Sequence, residues 1–365
     1  MDHEYMAQAV RLAARGIYST HPNPNVGCVI VNQGTLVGTG WHRQAGGPHA
    51  EVFALREAGE LARGADVYLT LEPCSHHGRT PPCADALIAA GVKRVVVAGQ
   101  DPNPRVAGQG LERLRAAGIT VETGVLEAQA AALNPGFFAR MRRGRPWVRV
   151  KLAASLDGRT AMASGESRWI SDPAARRDVQ LLRARSSAVV TGIGTVLADD
   201  PSLNVRLAAD ELQGVEPVRQ PLRVVLDSAL RMPEDARMLT LPGHTLVLTT
   251  APDSARWQAL QRADAEVMAI ATEQGRVAPA AVLQELAARD VNEVLLECGP
   301  ALAGSFLAAG LVDELIFYLA PHLMGDGGRG MFSLPGLQQM SDRIALEWLD
   351  VRRVSSALRI TARPV

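Results

Sequence analysis

The sequence predicts a two-domain α/β protein. Its 365 residues exceed one typical domain of roughly 150 residues, and helix and strand patterns alternate along the whole chain. The segment 142–146, Arg-Arg-Gly-Arg-Pro, interrupts this alternation with charge, glycine and proline, which is typical of a domain boundary. We therefore predict one α/β domain over residues 1–145 and a second over residues 146–365.

The elements of the first half follow from the spacing of apolar residues. An amphipathic helix occupies about residues 4–15, and two β-rich stretches around Gln33-Gly34 indicate a hairpin. Helices and strands then alternate, with Gly91 ending one helix. We predict helices over 49–61, 83–90, 110–117 and one that ends near Met141, and strands over 66–71, 94–98 and 119–123.

The second half repeats this alternation. It begins with the apolar stretch WVRVKLAAS at 147–155 and contains a helix over 173–185. Residues 299–305 are predicted to be a loop between a strand and an apolar helix. The further predicted strands are 188–191, 222–227, 245–250, 293–297, 314–320, 344–352 and 356–362.

Composition and charge narrow the possible partners. Lysine and arginine together number 38, as do aspartate and glutamate, so no net field attracts nucleic acid or an anionic membrane. The first residues carry acids where a signal peptide has bases, and no apolar run of about 18 residues occurs. We expect a cytoplasmic protein with no membrane and no nucleic-acid partner. Four cysteines are too few for a disulfide framework.

One group of residues indicates a metal site. His49-Ala-Glu51, then Pro73-Cys74 and then Cys83, fits the H-x-E…P-C-x-x-C pattern of zinc deaminases, except that eight residues instead of two separate the cysteines. One imidazole and two thiolates leave the fourth tetrahedral position of zinc open for water, as catalytic sites do. Two thiolates also neutralise the ion, so a separate base is needed, and we predict Glu51 as the proton shuttle. His76 and His77 lie between the cysteines and can compete as ligands, but substrate contact or solvent exposure is the favoured interpretation.

Other cysteines and glycines have simpler explanations. Cys28 in an apolar strand is expected to be a small core residue, and Cys298 is expected to pack beside the glycine-containing loop that follows it. Gly192-Ile-Gly194 begins like a dinucleotide fingerprint, but Leu197 stands where a third glycine or alanine belongs, so a Rossmann fold is not supported. The 299–305 loop can receive a phosphate at a helix N-terminus, or it can be a tight turn.

Four segments of the first half resemble the deaminase half of the bifunctional riboflavin-biosynthesis deaminase-reductase family. They are HPNPNVGCVIV, GPHAEVFALREAG, LEPCSHHGRTPPC and DPNPRVAGQGLERLRAAGI. The resemblance implies a cytidine-deaminase-like fold and hydrolytic deamination of 2,5-diamino-6-(5-phosphoribosylamino)pyrimidin-4(3H)-one. It implies that His49, Cys74 and Cys83 bind Zn²⁺ and that Glu51 is catalytic. Further substrate contacts implied by it are Asn23, His42, His76, Arg79 and Asn103.

Four segments of the second half resemble the reductase half of the same family, which is similar to dihydrofolate reductase in fold and reduces the ribosyl group to ribityl with NADPH. They are VKLAASLDGRTA, SRWIS, VVTGIGTVLADDPSLNVR and LLECGPALAGSF. The NADPH contacts implied are Ala153, Trp169, Thr195, Asp199, Ser228, Gly299, Pro300, Ala301, Leu302, Ala303, Gly304 and Ser305. The substrate contacts implied are Lys151, Ser167, Arg183, Leu203, Arg206 and Glu297.

Several alternatives stay open. Arg183 can lie on a solvated helix face, and Asp199 can be a turn residue before Asp200-Pro201. A nucleic-acid base deaminase with an RNA-binding domain is a second functional hypothesis, against which the balanced charge argues. A third makes the second half a non-catalytic assembly module, which NADPH binding would distinguish. We expect a homo-oligomer, either a dimer or a tetramer.

Overall fold

The structure is a computed structural model that divides the chain into two compact units, Met1–Gly144 and Arg145–Val365. Each unit contains its own main sheet and its own apolar clusters. The described residues are 1–75, 82–104, 106–251, 254–273 and 275–365. No helix in these ranges combines the length and the apolar character that a membrane span needs.

The first unit is built on one mixed sheet. Within the described residues its strand order is β2-β1-β3-β4-β5. Strands β1 and β2 form the predicted antiparallel hairpin, β1 also pairs antiparallel with β3, and β3, β4 and β5 run parallel. The strands are β1 (Gly27–Asn32), β2 (Thr35–Trp41), β3 (Asp66–Leu69), β4 (Arg94–Val97) and β5 (Thr120–Thr123).

Helices cover both faces of this sheet, because successive side chains of a strand point to opposite faces. Ile30, Leu69 and Val97 pack with α2, α3 and α4 on one face, while Val29 and Val96 pack with α1 and α5 on the other. The helices are α1 (Asp2–Ala14), α2 (Ala50–Ala58), α3 (Cys83–Ala90), α4 (Gln109–Ala116), α5 (Glu127–Ala132) and α6 (Pro135–Arg143).

Two helices of the first unit differ from the prediction. The helix predicted over 49–61 begins at Ala50, with His49 as its extended N-cap, and continues after Ala58 as a 3₁₀ turn over Gly59–Ala62. The helix predicted to end near Met141 is two helices, α5 and α6. Pro135 begins α6, since proline has no N–H to continue the α5 ladder but fits a first helical turn.

The second unit is built on a larger sheet, which over the described residues has the order β11-β10-β9-β8-β14-β6-β15-β18-β17. Its first seven strands run parallel, and β18 and β17 are antiparallel. The strands are β6 (Trp147–Ser155), β7 (Arg159–Ala161), β8 (Ala188–Gly192), β9 (Leu222–Leu226), β10 (Thr245–Thr249), β11 (Ala265–Ala269), β12 (Thr272–Glu273), β13 (Arg276–Val277), β14 (Glu293–Leu296), β15 (Glu314–Ala320), β16 (Arg329–Gly330), β17 (Leu346–Val354) and β18 (Ala357–Pro364).

Apolar clusters lie on both faces of this sheet. The predicted helix 173–185 is confirmed, whereas α8, α9, α10 and β11 were not predicted. The 299–305 loop prediction is wrong, because the chain is helical from Pro300 onward with Gly299 as N-cap. The helices are α7 (Pro173–Arg185), α8 (Ile193–Asp199), α9 (Ala255–Arg262), α10 (Pro279–Ala288) and α11 (Pro300–Ala308).

Candidate active sites

The first site forms at one edge of the sheet of the first unit. The carboxyl ends of parallel strands β3 and β4 meet there, and Glu72 N donates to the Gly99 carbonyl across the two loops (3.0 Å). The loop before β1 reaches the same edge, where Thr70 N donates to the Gly27 carbonyl (3.2 Å). Segments that are far apart in the sequence therefore meet at this edge.

At this edge His49, Cys74 and Cys83 converge. Their ligand atoms all lie within 4.8 Å of one another, with His49 Nδ1 3.6 Å from Cys74 Sγ and 3.3 Å from Cys83 Sγ. No other group of three or more such side chains with this spacing occurs among the described residues. One nitrogen and two sulfurs at these separations fit a tetrahedral zinc with an open fourth position.

Two helix N-termini hold these ligands in place. His49 is the N-cap of α2, in extended conformation (φ −75°, ψ 167°), and Glu51 lies in the first turn of that helix. Cys83 begins α3, and its backbone N–H donates to Cys74 Sγ (3.3 Å), while Ala84 N donates to the Cys74 carbonyl (3.2 Å). The start of α3 thus binds the segment that carries Cys74, as the positive end of a helix dipole favours.

The three ligand side chains perturb one another electrostatically. The pKa of Cys74 is lowered by hydrogen bonds from Cys83 and His49, against the opposing effect of burial. The pKa of Cys83 is raised by its hydrogen bond to Cys74 and by burial, and that of His49 is raised by Cys74. Without a cation the group therefore favours one thiolate, and a divalent ion favours ionisation of both thiols.

Glu51 supplies a carboxylate beside the ligands. It is 3% exposed, and burial raises its pKa above the ordinary value. Among the described residues, no group donates a hydrogen bond to its Oε2. A buried carboxylate oxygen without a partner costs free energy unless a further group occupies the site, and a water or an amine at the open position of a metal meets that need.

His42 and Asn23 form a linked pair near the ligands. His42 is 2% exposed, and its ring meets the His49 ring edge-on at 5.4 Å. Its Nδ1 donates to the Pro48 carbonyl (3.0 Å), so its Nε2 accepts from Asn23 Nδ2 (3.0 Å). Burial lowers the pKa of His42, which favours this neutral tautomer. Since both ring nitrogens are occupied, His42 orients Asn23.

Of the remaining predicted contacts of this half, Asn103 lies within the described residues and the histidines and arginine between the cysteines do not. Asn103 lies in the loop after β4 and donates its backbone N–H to Asp101 Oδ1 (2.8 Å). His76 and Arg79, which the resemblance marks as substrate contacts, lie outside the described residues, as does His77.

Sequence reasoning missed a buried clamp on the loop that carries Asn23. Asn134 Oδ1 accepts from Asn25 N (2.7 Å), and Asn134 Nδ2 donates to the Asn25 carbonyl (2.9 Å). Asn25 Nδ2 in turn donates to the Leu133 carbonyl (2.9 Å). Because 109 residues separate the two asparagines, no local pattern marks them.

The second site forms where connections of the larger sheet diverge. Strands β8 and β14 are parallel neighbours, but the chain continues from β8 to β9 on one side and from β14 to β15 on the other. Open α/β sheets bind ligands in the crevice at such a switch point. Helices α8 and α11 begin there directly after their N-caps Gly192 and Gly299, which have no side chain that could cap the helix.

A charged cluster lies beside this crevice. Arg183 makes a bidentate ion pair with Glu297 (2.5 and 3.0 Å), and both side chains are largely buried. Burial raises the pKa of Glu297, but Arg183, Lys151 and Arg206 together hold it below its ordinary value. Burial lowers the pKa of Lys151, while the nearby Glu297 carboxylate favours its charged form. The two arginines against one carboxylate leave positive charge that suits a phosphorylated substrate. The alternative of a solvated face for Arg183 is wrong.

Arg206 differs from Arg183 within this cluster. It is exposed, and its Nη1 donates to the neutral Asn204 Oδ1 (3.0 Å). The Arg183 Nη1 donates to the Asn204 carbonyl (3.1 Å), so the segment next to Leu203 is tied to the cluster. Leu203 itself is buried in the core, which leaves its backbone as the part that a ligand can reach.

The predicted cofactor contacts at the start of α11 fall into two groups, those that are accessible and those that pack inside the unit. Gly299 and Ala301 are accessible, as is Ser305 one turn further along. Ala303 is in the core, and a Cβ at Gly304 would lie 2.1 Å from the Ser333 carbonyl oxygen. The packing of the helix therefore uses these two residues. Pro300 and Leu302 complete this first turn, and Leu302 contacts the position of a Cβ on Gly192.

The loop that carries Trp169 lies against the end of α8. Arg168 Nη2 donates to the Asp199 carbonyl (3.0 Å), which brings the two predicted cofactor contacts Trp169 and Asp199 to one region. Trp169 is 71% exposed, with the Arg176 guanidinium 4.5 Å from its ring centre. Trp169 lines a cavity of about 400 Å³. Asp199 is the last residue of α8, so it is not part of a separate turn.

Of the other predicted contacts, Ala153, Thr195 and Ser228 lie at or near the carboxyl ends of strands, and Ser167 lies in a loop. Ala153 shares one face of β6 with Lys151, and Thr195 is in the first turn of α8. Ser228 follows β9, and its Oγ accepts from Val277 N (3.1 Å). Ser167 is half-buried in the loop before Trp169.

Family models match both halves of the chain. Residues 1–99 match the cytidine and deoxycytidylate deaminase zinc-binding region. Residues 146–359 match the RibD C-terminal domain. The chain belongs to the RibD family. A zinc-dependent deaminase domain and an NADPH-dependent reductase domain of riboflavin biosynthesis therefore follow one another in it.

Relatives in the RibD family support this assignment over the whole length. The riboflavin biosynthesis protein RibD of Escherichia coli is 53% identical over 97% of this chain and 96% of its own. That of Haemophilus influenzae is 47% identical over 99% and 96%.

Solved structures agree with these matches. Acinetobacter baumannii RibD (form 1) has a TM-score of 0.93 at 49% identity and covers 100% of this chain and 99% of its own. A Thermotoga maritima diaminohydroxyphosphoribosylaminopyrimidine deaminase/5-amino-6-(5-phosphoribosylamino)uracil reductase has a TM-score of 0.87 at 33% identity, with the same coverage. These matches leave no support for a nucleic-acid deaminase or a non-catalytic second half.

Proposed function

We propose that the first unit hydrolyses the amino group of 2,5-diamino-6-(5-phosphoribosylamino)pyrimidin-4(3H)-one, and that the second unit reduces the ribosyl group of the product to ribityl with NADPH. The observation that carries the first step is the convergence of His49, Cys74 and Cys83 beside the unpartnered carboxylate oxygen of Glu51. The name of the Thermotoga maritima relative supports this pair of reactions.

The residues of the first site divide the work of deamination. His49, Cys74 and Cys83 would hold the zinc, which when bound supplies Lewis-acid activation of a water molecule. Glu51 takes a proton from the attacking water and delivers it to the leaving amino group, so that water and the amine become carbonyl and ammonia. Burial keeps Glu51 apart from bulk water, which prevents loss of this proton to solvent.

Polar side chains around the ligands would recognise the substrate. Asn23 and Asn103 are placed on two loops at the same sheet edge, and His42 fixes the Asn23 amide. His76 and Arg79 join this set through the family resemblance. An amide offers both a donor and an acceptor, which matches the edge of a diaminopyrimidine.

The second site would bind two anionic molecules. NADPH supplies a hydride when bound, and the helix starts next to Gly299 and Gly192 would receive its phosphates. Ala153, Thr195, Ser228 and the loop with Trp169 and Asp199 complete the proposed cofactor contacts. Lys151, Arg183 and Arg206 would hold the phosphorylated substrate together with Glu297, Ser167 and the backbone at Leu203.

We propose that the chain forms a homo-oligomer, and that it acts in the cytoplasm, where the free cysteines stay reduced. Strand β17 supports self-association, because it is the last strand of its sheet and exposes Trp348 (62%), Leu349 and Val351. Light scattering on the protein as it elutes from a size-exclusion column tests the homo-oligomer. A monomeric mass at micromolar concentration would contradict it.

The proposed pair of reactions is tested by supplying the diaminopyrimidine substrate with and without NADPH. Ammonia release and absorbance at 340 nm are followed in the same cuvette. We expect ammonia in both samples and NADPH oxidation that follows ammonia release. NADPH oxidation without ammonia would contradict the order, and absence of ammonia would contradict the proposed substrate.

A further inference from the structure

Glu72 is a buried carboxylate that the reaction steps above do not use. It is 4% exposed and follows β3 at the active edge of the sheet. Its Oε2 accepts from the backbone N–H groups of Asp101 (3.1 Å) and Gly108 (3.0 Å). Its Oε1 accepts from those of Gly110 (2.9 Å) and Leu111 (3.4 Å). Four donors to one side chain amount to a binding site for a carboxylate, occupied by the chain itself.

Three of these donors belong to the start of α4. Gly108 is its N-cap and has no side chain to cap the helix; the Gln109 N–H donates to the Val106 carbonyl (2.8 Å), and the N–H groups of Gly108, Gly110 and Leu111 donate to Glu72. Glu72 satisfies them and places a negative charge at the positive end of the helix dipole. The approach is close, because a Cβ on Gly110 would lie 2.1 Å from the Pro73 carbonyl oxygen.

The same carboxylate also fixes the loop that carries Asn103. Asp101 N donates to Glu72, and Asp101 Oδ1 accepts from Asn103 N (2.8 Å). The Asn103 carbonyl accepts from Val106 N (2.8 Å) and Ala107 N (2.9 Å), so the loop is folded on itself. A shift of Glu72 would therefore move Asn103.

Glu72 stands two residues before Cys74 in the sequence, so one short segment carries a metal ligand and holds the opposite loop. We propose that Glu72 is a positioning residue for deamination, which sets the distance between the metal ligands and Asn103. This inference rests on the proposed function, in which Asn103 contacts the substrate. Glu72 touches neither the substrate nor the reacting atoms in this role.

The test compares Glu72→Gln with Glu112→Gln in the full-length, zinc-loaded chain. Glutamine has one oxygen for four donors and turns its NH₂ toward two of them. We expect the deaminase KM to rise about tenfold or more with kcat within about threefold, since the displaced group contacts substrate and not the reacting atoms. Glu112 is exposed in the first turn of the same helix, so its variant removes the same charge and should leave KM unchanged.

A second comparison separates positioning from loss of stability. In a Glu72→Gln/Asn103→Ala double variant, KM should match that of Asn103→Ala alone within about twofold, because both changes remove one contact. Zinc content and reductase activity of the same chain should stay at wild-type values. If Glu72→Gln does not fold, Glu72→Asp keeps the charge at shorter reach, and its KM should rise less than tenfold.

The results of these experiments distinguish failure of the positioning role of Glu72 from failure of the proposed function. An unchanged KM in Glu72→Gln, or a loss of zinc in proportion to the loss of activity, would overturn the positioning role. A KM change in the double variant that is the product of the two single changes would overturn it as well. A wild-type chain that releases no ammonia from the diaminopyrimidine would overturn the proposed function and this inference together.

Discussion

Specific neighbours hold the metal-ligand side chains of the first unit and the charged cluster of the second unit. In the first unit His49 Nδ1 lies 3.3 Å from Cys83 Sγ, and the Cys74 thiolate is stabilised by the start of α3. In the second unit Glu297 binds Arg183 bidentately, and the exposed Arg206 adds a positive charge to that pair. The consequences of changing single residues follow from these partners.

Cys74→Ser tests the ligand assignment. A hydroxyl binds zinc far more weakly than a thiolate, so we expect the dialysed variant to lose about nine tenths or more of its zinc. Emission spectroscopy measures the metal per chain. Cys298→Ser is the control, since Cys298 lies in the other unit and packs against the core. Undiminished zinc in the Cys74 variant would remove Cys74 from the site.

Arg206→Gln tests the phosphate site. Arg206 is exposed and bonded to a neutral side chain, so its charge is available to a substrate phosphate. We expect the reductase KM to rise about tenfold to a hundredfold, the range for loss of one charge-assisted hydrogen-bond pair. Arg177→Gln removes an exposed arginine that pairs with Glu211 and should leave KM unchanged. Equal KM values for both variants would place the phosphate elsewhere.

Among the elements, the helices carry the chemistry at their first residues. His49 and Cys83 stand at the starts of α2 and α3, and Gly192 and Gly299 at the starts of α8 and α11. Helix α7, which carries Arg183, is also anchored at its first residues, in this case by a side-chain N-cap. Its N-cap Asp172 accepts from Ala175 N (2.7 Å) and, through its other oxygen, from Ser356 Oγ (2.6 Å).

Asp172→Asn tests how α7 is anchored. The hydrogen bond from Ala175 N, followed by those from Ser356, lowers the pKa of Asp172 from 3.8 to about 2. A lowered folded-state pKa means that the ionised group contributes stability above about pH 4 and loses it as the pH falls toward 2. Asparagine is also a good N-cap, so the variant loses mainly the charge at the helix N-terminus, and we expect it to be about 0.3–1 kcal/mol less stable at pH 7, with a difference that shrinks below pH 4.

Urea unfolding followed by tryptophan fluorescence measures this difference, since most tryptophans, including Trp147, Trp169 and Trp257, lie in the second unit. Asp235→Asn is the matched control, because Asp235 is exposed on the same unit and should show no such pH dependence. A stability difference for Asp172→Asn that persists unchanged to pH 3 would contradict the role of the charge.

The sequence predicts an element well where its local signals agree. Strand β6 was predicted over its full length from a long apolar run, and α3 ends where Gly91 adopts a positive φ of 68°. Helix α8 was missed because it has seven residues and begins with a Gly-Ile-Gly sequence that resembles a loop. The role of Glu72 could not be predicted, since its four donors lie 29 to 39 residues further along the chain.

At the scale of the whole molecule, the chain consists of two units, each with its own sheet, its own core and a site at the carboxyl edge of parallel strands. The ligand convergence was predictable from residue types and order, because the donor set has one chemical interpretation. The charged cluster needed the fold, because Lys151, Arg183 and Glu297 come from three separate elements. Two self-contained sites imply two separable activities.

Glu51→Gln tests this separation most directly. The change removes the proton carrier of the first site and keeps its size, while Glu60→Gln alters an exposed acid nearby as a control. Each variant is assayed for ammonia release from the diaminopyrimidine and for NADPH oxidation with the deaminated intermediate. We expect Glu51→Gln to lose deamination by about a hundredfold to ten-thousandfold and to keep wild-type reduction. Loss of both activities in the folded, zinc-loaded variant would contradict two independent sites.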